Sequence, residues 1–388
     1  MLLAHREKAA ANRKRYNDNI LMTKQEQNLT SLLPVGSRPN ISQCPTSLHI
    51  SFDFAQDVLL PRRMRQVRSF ARMKLLFETI IVCSSQVNRS FYSPLFRVKV
   101  FGIATETFGL QTNYILPEGS CLDEAKGPNS VISMVHYHLT NRSRGQRSLY
   151  VNTDNCASQN KNQYMMQYWS LCIIMRSHDY ILHSFMNVGH TKCFCDSCFG
   201  LWKKRFLSSN TETVTQLKTL IDSSSRANEA FLIPMKGEET SSSSSSSSAS
   251  RSSSACALPS VEMQSSRLSQ TAGALTTEEP ITWRDWKTFL GRYFTRVPKI
   301  SSMNTFEFKR DSDGSFVSRM KCDGIVGEWI EFDLLKKGIR EEDVLNGANE
   351  LGKHTIEINR LTESRVKEIR KKLFPLMSSD AVCENFFV

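Results

Sequence analysis

Between His49 and Phe206 the chain alternates short apolar runs with longer helical stripes, and this alternation limits the folds open to it. His49–Phe54 alternates with a two-residue period and reads as a strand. Arg97–Ile103 and Leu110–Leu116 read as two more, separated by a turn near Phe108-Gly109. Asn129–Leu139 carries Val131, Ile132, Met134, Val135 and Leu139 at helical spacing. Ser148–Thr153 is a short buried strand, and Asn162–Met175 a helix with a Met165, Tyr168, Trp169, Cys172, Met175 stripe. Tyr180–Val188 is a strand, and Asp196–Phe206 a helix with Phe199, Trp202 and Phe206 on one face. Helices between strands require parallel pairs, so an α/β fold is expected, with a mixed sheet flanked by helices.

Around this core, taken as residues 47–221, three further regions are expected. Residues 1–46 form a basic arm, with a polar, solvated helix over 5–28 and a loop marked by Pro34, Gly36, Pro39 and Pro45. Residues 222–279 contain the tract Ser241–Ser248, which cannot bury enough apolar surface to order itself, and read as a disordered linker. Residues 280–388 read as a small α+β region. Its helix Ile281–Phe294 carries Trp283, Trp286, Phe289 and Phe294. Strands follow at Phe306–Lys309, Phe316–Cys322 and Trp329–Leu334, with Asp-Gly turns at 313–314 and 323–324, and then a basic helix at Leu361–Leu373.

The 388 residues carry a net charge of +12, and residues 1–75 hold 13 Lys/Arg against 5 Asp/Glu. That balance favours a polyanionic partner, most often nucleic acid, although a basic soluble protein can carry it too. No apolar run reaches the ~18 residues needed to span a bilayer, so no membrane role is expected. Met1-Leu2-Leu3-Ala4 is followed at once by charged residues, so the reading is of a protein that is not secreted. The 11 cysteines, among them Cys83 and Cys172 in apolar surroundings, read as free thiols.

Three acids stand at the edges of the expected elements. Asp53 interrupts a strand between Phe52 and Phe54, which point to the other face; it is either an edge-strand residue facing water or a site residue. Asp154 ends a strand and precedes Asn155, Gln159, Asn160 and Asn162; it is either a turn and capping residue or the head of an amide-rich site. Asp196 falls at a helix start, where exposed amides favour a carboxylate. The topology brings Asp154 and Asp196 back to one sheet edge. Strand-end acids with a helix-borne acid can clamp Mg²⁺ or Mn²⁺, and two such ions can activate a nucleophile and stabilise a leaving oxygen. His190 is either a phosphate or proton-transfer group or a turn histidine bonded to backbone, and Lys192 can contact phosphate.

A zinc site is the competing use of one stretch: His190, Cys193, Cys195 and Cys198 offer four ligands within nine residues. C-x-C-x-x-C in one short loop is cramped for a tetrahedral ion, so zinc is not expected, and the cysteines read as bystanders at a helix start.

Three motifs occur in order: Ser51-Phe52-Asp53-Phe54-Ala55-Gln56, then Asp154-Asn155-Cys156-Ala157-Ser158-Gln159-Asn160-Lys161-Asn162, then Gly189-His190-Thr191-Lys192 running to Asp196 and Phe199-Gly200. With them the chain resembles transposable-element-derived proteins of animals, a branch of the DDE/D transposase superfamily. The resemblance is densest over residues 48–206. The element order, a three-stranded meander followed by helix–strand alternation, is also that of the RNase H-like fold. The resemblance implies an RNase H-like core with Asp53, Asp154 and Asp196 as its acids, Mg²⁺ or Mn²⁺ as cofactor, DNA as partner and a nuclear location. Asn155, Gln159, Asn160 and Asn162 would then support the site, and Lys161, Lys192, Lys203, Lys204 and Arg205 would hold phosphates.

The sequence departs from that pattern in three places. Cys193 and Cys195 stand where members more often carry an aromatic residue and a proline, residues 66–86 read as an insertion, and relatives carry a Cys-rich upstream region expected to read DNA. Metal-dependent DNA cleavage and strand transfer is the leading expectation. A catalytically silent nucleic-acid- or protein-binding module is the alternative, and a zinc-stapled interaction module the third.

Overall fold

The computed structural model describes residues 2–29, 47–62, 95–122, 124–186, 189, 192–233, 280–322 and 327–383. The expected insertion at 66–86, the proline-marked loop, the serine tract, His190 and the 323–324 turn lie outside the described residues.

A long helix, α1 (Leu2–Leu29), precedes strand β1 (Ser47–Phe54), whose two faces differ in kind. Leu48, Ile50, Phe52 and Phe54 enter one apolar core, while Ser47, His49, Ser51 and Asp53 alternate with them on the other face. β2 (Val58–Leu60), β3 (Phe96–Thr105) and β4 (Leu110–Pro117) follow, with an antiparallel pairing of β1 to β3 and of β3 to β4. The expected turn between the last two lies at Gly109, whose φ of 67° favours glycine. Then come α2 (Pro128–Asn141), β5 (Ser148–Thr153), α3 (Gln163–Ile174), β6 (Tyr180–Phe185) and α4 (Phe194–Leu207). β5 pairs parallel to β1, and β6 parallel to β5.

The expected linker begins too early. Residues from 222 to 233 belong to the fold: α5 (Val214–Asp222) leads into β7 (Asn228–Leu232), which pairs parallel to β4. The polar flank Ser223–Arg226 masks a short strand whose Ala230 and Phe231 are buried.

Residues 280–383 also join the main sheet rather than forming a separate small one. α6 (Trp286–Tyr293) precedes β8 (Thr305–Arg310), which pairs antiparallel to β6; β9 (Phe316–Lys321) and β10 (Ile330–Glu331) extend the same sheet. α7 (Glu341–Ala348), α8 (Glu363–Lys372) and α9 (Ser379–Cys383) close the described chain. The ten strands run in the order β10-β9-β8-β6-β5-β1-β3-β4-β7, with β2 pairing to β3 off that path. The fold is thus α/β, a mixed sheet flanked by helices.

Two apolar cores sandwich this sheet. α2, α3 and α6 bury Val131, Trp169 and Trp286 against Phe52, Phe101 and Val151. α4, α5 and α8 bury Trp202, Leu217 and Ile369 against Val98, Val100 and Ile115. Sequence separation hides the contribution of α6: Trp286 Nε1 donates to Ser133 Oγ of α2 at 3.0 Å, and its ring meets His136 and Tyr168 with both centroids 5.2 Å away.

Helix α1 is not the solvated arm its composition suggests. Ala9, Asn12, Tyr16, Thr23 and Gln27 form a buried stripe. The stripe is polar because the sheet face beneath is polar. Tyr16 Oη donates to Glu106 Oε1 at 3.0 Å, Gln27 Nε2 to Ser47 O at 3.1 Å, and Thr107 Oγ1 to Thr23 Oγ1 at 3.0 Å. Glu106 also accepts from Ser51 Oγ and meets His49 Nδ1 at 2.9 Å.

Because Trp286 ties residues 280–383 to α2 and α3, Trp286→Ala is expected to cost ~3–5 kcal/mol and to shift one cooperative denaturant transition. A wild-type unfolding curve with two transitions, only one of them moved by the substitution, would contradict the single sheet.

Candidate functional site

β1 and β5 run parallel with Ser51 paired to Asn152. Two residues further along each chain stand Asp53 and Asp154, so the two carboxylates lie side by side where the strands end. β1 is an interior strand between β5 and β3, which removes the edge-strand reading of Asp53. Asp196 reaches the same place from the third position of α4. Asp53, Asp154 and Asp196 line one cavity of about 50 Å³, together with Phe52, Asn152, Thr153, Met186 and Cys193.

Each acid is held by one of its oxygens. Asp53 Oδ1 accepts from Phe54 N at 2.7 Å. Asp154 Oδ1 accepts from Cys156 N at 3.1 Å and from Asn160 Nδ2 at 2.7 Å. Asp196 Oδ2 accepts from Cys193 N at 2.8 Å, a reach back to the residue before the helix that fixes the first turn. The other oxygens, Asp53 Oδ2, Asp154 Oδ2 and Asp196 Oδ1, accept no hydrogen bond from the described residues. Turn chemistry and site chemistry therefore coexist at Asp154: one oxygen serves the turn and the other is unclaimed. The helix that follows is capped by Asn162, whose Oδ1 accepts from Met165 N at 3.1 Å.

Crowding of like charge shows in Asp53. Burial, then the neighbouring charge of Asp154 and further that of Asp196, push its carboxyl from 3.8 up to about 7, against the Phe54 amide and Lys126, which act the other way. Lys126 is the cation that opposes the two acids. Its Nζ lies 3.2 Å from Asp57 Oδ1 and 5.4 Å from the centre of the Phe54 ring.

The expected supporting residues do not all serve the cavity. Asn160, buried, orients Asp154, and Asn155 braces the loop by donating to Met186 O. Gln159 is half-buried, and its side chain makes no hydrogen bond among the described residues. Lys161 is not turned to a phosphate: it is buried, and its Nζ donates to Asn155 Oδ1 at 3.0 Å, Asn304 Oδ1 at 3.1 Å and Ser301 O at 3.3 Å. It acts as a rivet between the Asp154 loop and the turn before β8. Lys192 is exposed next to the cavity. Lys203, Lys204 and Arg205 sit in the last turns of α4, ~10–14 Å along the axis from Asp196, so they are not part of the cavity.

The cysteine set does not stay together. Cys193 lines the cavity, with its Sγ 3.4 Å from Asp196 Oδ2. Cys195 is buried and donates to Gly102 O at 3.6 Å, and Cys198 is buried in the same helix, its thiol pushed up to about 12 by burial. Asn152 and Lys126 are site neighbours that the sequence did not single out, and Cys193, expected to be a bystander, lines the cavity. Asn152 carried a signal, since it lies two residues before Asp154 and so on the same strand face. Cys193 carried one in its spacing to Asp196. Lys126 carried none, because a loop far from the three acids in sequence delivers it.

No group of three or more His, Cys, Asp or Glu side chains among the described residues is set to hold a metal ion. The donor set itself suits a hard divalent cation, with three carboxylates on one small polar cavity and an unclaimed oxygen on each. The carboxylates would have to draw closer around the ion.

Residues 109–236 match the family model described as Domain of unknown function (DUF7869). That span runs from the turn before β4 to just past β7, so it contains Asp154 and Asp196 but not Asp53. No curated protein and no solved structure matches the chain. No described helix is long and apolar enough to cross a membrane.

The raised Asp53 carboxyl has a consequence for stability. Between pH 3.8 and about 7 the folded state holds a proton that the unfolded chain has released, so stability falls as pH rises through that window. Asp53→Asn, whose Oδ1 can still accept from Phe54 N, removes the titration. Its melting temperature is expected to exceed wild type by a few degrees at pH 8, for ~2 kcal/mol, with the gain gone near pH 4. Equal melting temperatures at pH 8 would show that neither burial nor the neighbouring acids hold the Asp53 carboxyl up.

Proposed function

We propose that this chain is a transposase-derived protein with an RNase H-like core that cleaves, and joins, DNA phosphodiesters with divalent metal. The observation that carries the reading is the convergence of Asp53, Asp154 and Asp196 on one cavity. Further support comes from the five strands β4-β3-β1-β5-β6: an antiparallel meander continued by two parallel strands, with acids at the ends of its first and fourth members in chain order. The reading includes Mg²⁺ or Mn²⁺ as cofactor, DNA as partner and a nuclear site of action.

In this reading Asp53, Asp154 and Asp196 would hold the cation. Bound there, the ion supplies Lewis-acid activation of an attacking water or 3′-hydroxyl and stabilises the leaving oxygen. The chain's own residues do the rest. The Asn160 amide and the Cys156 backbone N–H hold Asp154, and the Cys193 backbone N–H holds Asp196, so neither has to be ordered when substrate arrives. Asp53, whose carboxyl is held up to about 7 by burial and by the neighbouring acids, would give up its proton as the cation binds and so complete the set of ligands. Lys192 stands exposed at the mouth to meet phosphate.

One observation favours a second reading, a catalytically silent binding module: no three side chains among the described residues are already set around a metal ion. Incubation of purified protein with Mn²⁺ and supercoiled DNA separates the two. Nicking by wild type, lost in Asp154→Asn at unchanged melting temperature, is the expected result. No nicking, with DNA binding that survives replacement of all three aspartates by alanine, would replace the first reading by the second.

A further inference from the structure

A groove of about 420 Å³ lies between α1 and the start of α4, and Cys193 lines both it and the acidic cavity. Arg13, Tyr16, Ile20 and Lys24 line it from α1, and Lys192, Phe194 and Ser197 from the other side. Three cations face one acid, Glu106, which is buried and already holds Tyr16, Ser51 and His49. Lys24 and Lys192 are exposed and form no ion pair among the described residues. Arg13 lies over the Tyr16 ring, 5.3 Å from its centre.

The groove is anchored as well as charged. Tyr16 Oη accepts from Phe194 N at 3.1 Å while donating to Glu106, so α1 is tied to the helix start that presents Asp196. From Arg13 to Lys24 the helix rises ~16 Å, the axial length of about five steps of one B-form strand.

We propose that this groove grips the nucleic-acid backbone beside the acidic cavity, and that α1 is a substrate-holding helix. The proposal rests on the phosphodiester reading of that cavity. Lys24 and Lys192 neutralise two phosphates, and α1 keeps them in register with Asp196 through Tyr16. The polar stripe of α1 serves this purpose: hydrogen bonds to a polar sheet face fix the helix without spending its charged edge.

Duplex DNA binding measured across a salt series tests this. Each phosphate contact contributes about 0.9 to the slope of log affinity against log salt. Lys24→Ala with Lys192→Ala is therefore expected to lower the slope by about 2 and to weaken binding, with the melting temperature unchanged and a Lys367→Ala control on exposed α8 at the wild-type slope. A wild-type slope in the double variant, or no duplex binding by wild type at low salt, would overturn the groove. The two proposals fail separately. Nicking with an unchanged slope removes the groove alone, whereas a lowered slope without nicking leaves the groove and removes the nuclease.

Discussion

Two carboxylates on neighbouring parallel strands set the terms for this site. The register that pairs Ser51 with Asn152 brings Asp53 and Asp154 side by side, and nothing local to either residue can separate them. The fold responds by fixing one oxygen of each acid with a backbone N–H and adding Asp196 from α4. A protein that needed only turns and caps there could use serine or asparagine, which bond backbone without mutual repulsion. Three acids kept together in a small cavity, with Asp53 pushed to about 7, are a standing cost to stability that a bound cation would relieve.

The other face of β1 shapes the rest. Its apolar residues join a core shared by α2, α3 and α6, whereas Ser47, His49 and Ser51 line a buried polar seam closed by α1. Hydrogen bonds hold that seam, and through Tyr16 they reach the first turn of α4. The same network that seats α1 therefore positions the helix carrying Asp196. On the far side Lys161 does a comparable job, linking the Asp154 loop to the turn before β8. The C-terminal strands thereby support the cavity as well as widen the sheet.

Much of the core was legible because burial follows periodicity. Ser148–Thr153 matches β5 end to end, and the stripe Met165, Tyr168, Trp169, Cys172 marks α3. The three acids were legible as candidates because Asp53 interrupts, Asp154 ends and Asp196 begins a patterned element. What escaped notice depended on partners distant in sequence. The stripe of α1 is polar to suit a polar sheet face, so no hydrophobic period announces it. β7 is five residues long and lies directly before a serine-rich stretch, so composition outweighed Ala230 and Phe231. Lys161 reads as a free cation within an amide-rich motif, yet three oxygens claim it, two of them from residues 301 and 304.

On the reading proposed here, Asp53, Asp154 and Asp196 act as one cation-binding unit. Calorimetric titration of wild-type protein with Mn²⁺ at pH 7, in buffers of different ionisation enthalpy, tests it most directly. Because burial and the neighbouring acids hold the Asp53 carboxyl up to about 7, binding should release a fraction of a proton per ion. The release should shrink as the pH is raised to 8, and binding should weaken in Asp53→Asn. Mn²⁺ binding with no proton release at pH 7, or no binding at all, would contradict the account.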